Sequence, residues 1–151
     1  MKLQLNVQYG VMRANLPAKS TIRRWAQAAL KGLRYRRAAL GVRVVGARES
    51  AALNARFRHQ CHPTNVLSFP FEAPPGPRSE ILGDLVICAP VVRQEARQQN
   101  KIFRAHWAHM VVHGILHLRG YDHRNRRDAA VMEQMEIRIL KELGYANPYL
   151  Q

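Results

Sequence analysis

The chain has 151 residues, of which 47% are hydrophobic and 23% are charged. These proportions are ordinary for one soluble domain, and they exclude disordered, collagen-like and low-complexity proteins. The 24 basic residues outnumber the 10 acidic ones, which gives a net charge of +14, and residues 1–48 hold 11 of the basic residues and none of the acidic ones. A field of this kind attracts polyanions, with RNA or DNA as the first candidate and an anionic membrane surface as the second.

The sequence predicts four strands and five helices within one domain that covers residues 1–151. Period-two alternation and β-branched residues indicate strands at Leu3–Gln8, Leu40–Val45, Val66–Phe71 and Ile81–Cys88. Helical spacing of apolar residues indicates helices at 20–31, 49–58, 90–99 and 103–119, and a last helix that begins at Asn125 or Asp128 and stops at Gly144.

Local signals support several of these boundaries. Ser20 is predicted to cap the first helix, and Pro90 is predicted to lie in the first turn of the third. The segment Glu72–Glu80 holds three prolines and Gly76, which is typical of a loop. Because strands and helices are intermixed, the fold class predicted is α+β, with one mixed, mostly four-stranded sheet packed with about five helices.

No membrane anchor, secretory signal or disulfide framework is predicted. The longest uncharged stretch, 105–118, is shorter than the roughly 20 apolar residues that cross a bilayer. Residues 1–10 alternate polar and apolar side chains, unlike the apolar segment of a secretory signal. The two cysteines, Cys61 and Cys88, are expected to be small buried apolar residues. These features favour a cytoplasmic protein without a membrane partner.

Five of the seven histidines lie between His106 and His123. His113 and His117 are four residues apart, which places both imidazoles on one helix face, and Gly120 and His123 follow. This H-x-x-x-H-x-x-G-x-x-H spacing is that of metzincin metalloproteases, in which a glycine turn after the helix returns a third imidazole to the ion. Three imidazoles and an open position are typical of catalytic zinc. We therefore predict one Zn²⁺ at the end of a central helix, held by His113, His117 and His123.

One position differs from the protease pattern. Proteases of this kind carry a glutamate general base after the first histidine, where this chain has Gly114. Together with the net charge, this difference favours a phosphodiester substrate over a peptide. His109 is expected to be a polar core residue or to support a ligand, and His106 to be structural or exposed, because His109 and His117 are about 12 Å apart along a helix. Asp122 is expected either to orient a ligand imidazole or to occupy the turn.

Residues 113–123, HGILHLRGYDH, resemble the H-G-x-L-H-L-x-G-Y-D-H signature of the bacterial YbeY family of rRNA-maturation endoribonucleases. The resemblance extends over about residues 50–149. It includes Leu53-Asn54 with Phe57-Arg58, the segment PTNVLSFP at 63–70, Gly83-Asp84, Glu95-Ala96 and the ending Leu143-Gly144-Tyr145 with Pro148-Tyr149.

The resemblance implies a zinc-dependent, single-strand-specific endoribonuclease. Its implied role is the processing of rRNA, including the 3′ end of 16S rRNA, and late quality control of the ribosome. The implied partners are single-stranded RNA, the ribosome and ribosomal proteins. The zinc ligands of the family correspond to His113, His117 and His123, and its functional arginine corresponds to Arg58.

Arg58 suits such a role because a guanidinium can contact two phosphate oxygens and stabilise charge that develops on them. Further arginines are expected to attract the RNA backbone or to hold a neighbouring phosphate: Arg34, Arg36, Arg37, Arg56, Arg124, Arg126 and Arg127. Asn65 and Ser68 flank the strand that is predicted to border the substrate cleft, and hydrogen bonding within the fold is expected of them at least as much as contact with RNA. The large aromatic residues are expected to lie in the core instead of stacking on bases: Trp25, Phe57, Phe103 and Trp107.

Two questions stay open from the sequence. The nucleophile is either the 2′-hydroxyl of the RNA or a hydroxide on the metal. The alternative function is a non-catalytic assembly factor of the ribosome in which zinc is structural, an alternative suggested by the missing base at Gly114.

Overall fold

The computed structural model describes residues 1–75 and 80–150, so residues 76–79 of the predicted 72–80 loop lie outside the described part. The elements in chain order are β1 (Lys2–Tyr9), α1 (Lys19–Ala29), β2 (Arg37–Val45), α2 (Ala47–Arg58), β3 (Val66–Pro70), β4 (Ile81–Cys88), α3 (Ala89–Gln98), α4 (Phe103–Leu118) and α5 (Arg126–Glu142). Each predicted strand and helix therefore has a counterpart in the structure.

The four strands form one mixed sheet in the order β1-β2-β4-β3. The pairs β1–β2 and β2–β4 are parallel, with Leu5 beside Leu40 and Val42 beside Leu85, whereas β3 runs antiparallel to β4. Alternate residues of β1 and β2 are buried, as the period-two pattern predicts. The predicted α+β fold with a mixed four-stranded sheet and about five helices is confirmed.

The core lies between the sheet and the central helix α4. Trp25 of α1 and Trp107 of α4 are fully buried in it, as predicted, and Phe103 packs at its margin. The prediction for Phe57 is wrong: this side chain is 49% exposed at the end of α2, edge-on to Phe69. Cys88 is buried as expected, but Cys61 is exposed because it lies in the segment between α2 and β3.

The local signals predicted at the helix boundaries are present in the structure, except at α1. The side chain of Asn125 accepts a hydrogen bond from the Asp128 backbone N–H at 2.9 Å, so Asn125 is the residue that caps α5. Pro90 lies in the first turn of α3, as predicted. Ser20 does not cap α1, because the helix already begins at Lys19 after an extended Ala18. Among the described residues, no helix has both the length and the apolar character needed to cross a membrane.

Candidate functional site

The end of α4 and the turn after it place the three predicted ligands. His113 and His117 lie one turn apart on α4. The helix then ends in a Schellman motif, in which the Tyr121 N–H donates to the Leu116 carbonyl and the Gly120 N–H donates to the His117 carbonyl, both at 3.0 Å. Gly120 has a φ of 97°, which glycine adopts without a steric penalty. The turn reverses the chain, and His123 returns to the end of the helix.

The imidazole rings of His113, His117 and His123 form a triangle. Their centroids are 4.7 Å apart for His113 and His117, 5.0 Å for His117 and His123, and 6.0 Å for His113 and His123. One nitrogen of each ring lies within 4.8 Å of a nitrogen of each of the others, so the group could hold a metal ion. Imidazole nitrogens suit zinc, copper, iron and nickel. The rings of His113 and His117 are half-buried and His123 is exposed, which leaves one side open to a substrate.

The electrostatics favour the neutral form of His117. Burial lowers the pKa of its imidazole below the ordinary value, and the neighbouring His113 and His123 lower it further. A histidine binds a metal only through a deprotonated nitrogen. His117 is therefore in the metal-binding form at neutral pH.

The triangle opens into a cleft of about 630 Å³. The cleft is lined by the end of α4 with its turn, and by the end of α2 with β3, which carry Asn54, Arg58 and Ser68. Arg58 is exposed, and its Nη2 donates a hydrogen bond to the Ser68 carbonyl at 3.3 Å. A guanidinium has five N–H donors, so this bond leaves further donors for a ligand. The structure thus brings Arg58 and the three histidines to the same cleft.

Glu136 of α5 lies against the histidines and is only 1% exposed. Its Oε2 is 2.6 Å from His109 Nε2 and 3.2 Å from His113 Nδ1, and its Oε1 accepts a hydrogen bond from the Tyr149 hydroxyl at 2.7 Å. Burial raises the pKa of this carboxyl, but the hydrogen bonds from His109, His113 and Tyr149 outweigh burial and lower it to about 2. Glu136 is therefore an ionised carboxylate at neutral pH.

His109, His113 and Glu136 are also close enough to one another to form a second metal-binding group. However, one carboxylate oxygen already lies within hydrogen-bond distance of both rings. A carboxylate accepts and does not donate, so each ring presents an N–H to it. These three residues form a hydrogen-bonded cluster behind the triangle.

The structure also settles the roles of several neighbours. The Asp122 carboxylate accepts a hydrogen bond from the His123 backbone N–H at 2.8 Å, so Asp122 stabilises the turn, and it also lies 3.4 Å from Arg124. Asn65 donates to Glu95 at 3.2 Å, and buried His106 lies 2.9 Å from the same carboxylate. Burial lowers the pKa of His106, although Glu95 opposes this change. Asn65 and His106 thus have structural partners.

Gly114 faces the sheet. A Cβ at this position would lie 2.7 Å from Leu85 Cδ2 and 3.3 Å from Val66 Cγ2. A side chain here would therefore have to displace the packing of α4 on β3 and β4. The carbonyl of the same residue accepts a buried hydrogen bond from the Ser68 hydroxyl at 3.3 Å. This close packing leaves no room at position 114 for the glutamate of the protease pattern.

Glu136 is not among the site residues predicted from the sequence, and Tyr149 appears there only within the segment that resembles the family. A signal for Glu136 exists: it lies on the buried stripe of α5, between Met132 and Ile139. A carboxylate on an apolar stripe needs partners when it is buried. No comparable local signal points to Tyr149, whose contact depends on how the chain folds back after α5.

Comparisons with known proteins give the family. The sequence model of the family described as endoribonuclease YbeY matches residues 8–144. The chain is 51% identical to endoribonuclease YbeY of Stenotrophomonas maltophilia strain K279a, over 99% of this chain and 94% of that protein. It is 57% identical to endoribonuclease YbeY of Alkalilimnicola ehrlichii, over 97% of this chain and 91% of that protein.

A solved structure supports the fold. The solution structure of TM1509 from Thermotoga maritima matches with a TM-score of 0.59 and 22% identity, over 98% of this chain and all (100%) of that chain. At this identity the likeness concerns the fold alone. The two full-length relatives and the family match confirm the resemblance seen in residues 113–123, and the chain belongs to the endoribonuclease YbeY family.

Proposed function

We propose that this chain cleaves single-stranded RNA within the cleft, at a metal ion held by His113, His117 and His123, with Arg58 on the scissile phosphate. The observation that carries the proposal is the convergence of three imidazoles and one arginine on a cleft open to solvent. Membership of a family of endoribonucleases and the net charge of +14 support RNA as the substrate. We assign residues 1–151 to one catalytic domain that works in the cytoplasm.

The donor set supports Zn²⁺ as the ion. Within residues 1–75 and 80–150, the group around His113 has three imidazoles and no fourth protein ligand, which is typical of catalytic zinc, whereas structural zinc has four protein ligands. When bound, zinc supplies a Lewis acid that polarises a phosphoryl oxygen. The lowered pKa of His117 keeps its nitrogen available for the ion at neutral pH.

Arg58 has a separate task. Its guanidinium donates a hydrogen bond to the Ser68 carbonyl and lines the same cleft as the histidines. It can bind two phosphate oxygens and stabilise the charge that increases on them as the phosphodiester breaks. A phosphate bound in this cleft would thus have both the Arg58 guanidinium and the three histidines in the lining around it.

The family resemblance supports ribosomal RNA, including the 3′ end of 16S rRNA, as the substrate, and the ribosome and ribosomal proteins as partners. The full-length relatives carry the name endoribonuclease, and this name favours catalysis over a non-catalytic assembly factor. Gly114, which suggested the alternative, is accounted for by its packing against Leu85.

The test is cleavage of a single-stranded fragment from the 3′ end of 16S rRNA. We compare the wild-type protein with His117→Ala, and use His62→Ala, an exposed histidine outside the cleft lining, as the matched control. The wild type and His62→Ala should cleave and purify with bound zinc. His117→Ala should remain folded, lose most of its zinc and be inactive. If His117→Ala cleaves as fast as the wild type, or if none of the three proteins cleaves, the proposed site is refuted.

The nature of the cleaved ends identifies the nucleophile. Attack by the 2′-hydroxyl leaves a cyclic phosphate or a 3′-phosphate, whereas attack by water can leave a 3′-hydroxyl. Analysis of the product ends, with a 2′-deoxy substitution at the cleavage site as the control, separates the two chemistries.

A further inference from the structure

We propose that Glu136 and Tyr149 position the metal-binding imidazole of His113, so that the last residues of the chain set the affinity of the metal site. This inference rests on the proposed metal-binding role of His113. It concerns two side chains outside the predicted ligand set, one from α5 and one from the segment that follows α5.

The first step is the orientation of the His113 ring. Its Nδ1 lies 3.2 Å from Glu136 Oε2. Because an ionised carboxylate only accepts hydrogen bonds, Nδ1 carries the proton, and the lone pair is on Nε2 at the far side of the ring. A carboxylate behind a ligand imidazole fixes the tautomer and the ring orientation and increases the basicity of the ligating nitrogen.

The second step is the position of the carboxylate itself. Glu136 is almost fully buried, and a buried carboxylate without partners is strongly unfavourable. His109, one turn before His113 on α4, holds Oε2 at 2.6 Å. His109 is 7% exposed and does not line the cleft. We therefore assign to His109 the role of holding the Glu136 carboxylate in position.

The third step involves the chain after α5. The Tyr149 hydroxyl donates to Glu136 Oε1 at 2.7 Å, and its ring lies edge-on to His109 at 5.6 Å. The backbone beside it is held by Lys101, whose Nζ donates to the Pro148 carbonyl at 2.7 Å. Tyr149 thus holds the second oxygen of Glu136, and rotation of the carboxylate would break hydrogen bonds on both sides.

The test compares Tyr149→Phe and Glu136→Gln with the wild type. Tyr145→Phe, another tyrosine that follows α5, is the matched control, because its ring packs against Trp25 instead of the histidine cluster. Zn²⁺ affinity is measured by competition with a chromophoric chelator, and the visible spectrum of the Co²⁺-loaded protein reports ligand geometry. Melting of the metal-free proteins reports stability.

We expect Glu136→Gln to bind Zn²⁺ about 10- to 100-fold more weakly, the usual effect of losing such a carboxylate. Tyr149→Phe should bind several-fold more weakly and change the Co²⁺ spectrum, and Tyr145→Phe should match the wild type. Tyr149→Phe keeps the ring of a half-exposed residue, so it tests the inference even where Glu136→Gln fails to fold.

The inference is overturned if Tyr149→Phe has the Zn²⁺ affinity and the Co²⁺ spectrum of the wild type, whether or not its melting temperature is lower. The cluster would then have a purely structural role. A wild-type protein that binds neither ion at micromolar concentration would instead refute the proposed metal site. The two failures are therefore distinguishable.

Discussion

Replacing Gly120 by alanine tests whether the turn after α4 holds His123 in place. Gly120 has a φ of 97°, and a Cβ there would meet no atom within 4 Å, so the penalty is conformational and not steric. A left-handed conformation costs an L-residue about 1–2 kcal/mol, and the stiffer unfolded chain offsets roughly 0.4–1 kcal/mol. We expect a net loss of about 1 kcal/mol and a melting temperature about 2–4 °C lower.

Gly32 provides the matched control. It has a φ of 92° in the turn after α1, and a Cβ there would also meet nothing within 4 Å. Gly32→Ala should therefore lose the same stability. Only Gly120→Ala should affect the metal, because the turn at Gly120 places His123 beside His113 and His117, and a shift of the strained turn displaces the His123 ring. A displacement that weakens the metal site by about 1 kcal/mol corresponds to roughly 5-fold weaker Zn²⁺ binding.

The assay combines thermal melting of the metal-free proteins with Zn²⁺ competition titrations of the wild type and both variants. The reasoning fails if Gly120→Ala melts like Gly32→Ala but binds Zn²⁺ with wild-type affinity. In that case the conformation of the turn would not determine the position of His123.

Three further predictions concern the sheet, the cleft and the buried carboxylate. Gly83→Ala should lower the free energy of unfolding by about 3 kcal/mol in calorimetry, because Gly83 has a φ of 138° and a Cβ there would clash with the Phe69 carbonyl. A melting temperature within about 2 °C of the wild type would contradict this prediction. Arg58→Lys should lower kcat/KM about 10- to 100-fold with unchanged zinc content, because lysine cannot bind two phosphate oxygens at once as a guanidinium does. The control Arg56→Lys lies outside the cleft and should leave kcat/KM nearly unchanged. The pKa of Glu136 is lowered to about 2 from an ordinary 4.5. This shift contributes about 3 kcal/mol to the free energy of unfolding, which is present above pH 4.5 and is lost as the pH falls towards 2. Urea unfolding of the metal-free protein should show about 2 kcal/mol of this loss by about pH 3, and Glu136→Gln should not show it.

The sequence predicts the parts of the fold and site that depend on short-range patterns. The alternation in β1 and the four-residue spacing of His113 and His117 are local, and the structure has both. The turn at Gly120 is local too, because the positive φ and both hydrogen bonds of the motif involve neighbouring residues. Local patterns of this kind are determined by backbone geometry and survive in any tertiary context.

The parts that were missed depend on contacts between distant segments. Glu136 meets His113 across 23 residues of sequence, and no spacing rule connects two helices in this way. The wrong prediction for Phe57 has a similar origin. Its helix α2 has helical spacing of apolar residues, but the sequence does not show that Phe57 would extend past the sheet at the end of that helix, where it contacts Phe69 and the Arg56 guanidinium.

The contact between Tyr149 and Glu136 has a consequence for synthesis of the protein. The residues of a domain leave the ribosome in chain order, and the domain then folds as a unit. The sheet and α4 are complete by residue 118, but Glu136 and Tyr149 follow later in the chain. A nascent chain therefore presents the helix that carries His113 before it presents the residues that support the His113 ring. The site of this nuclease is complete only after residue 149 has left the ribosome that made it.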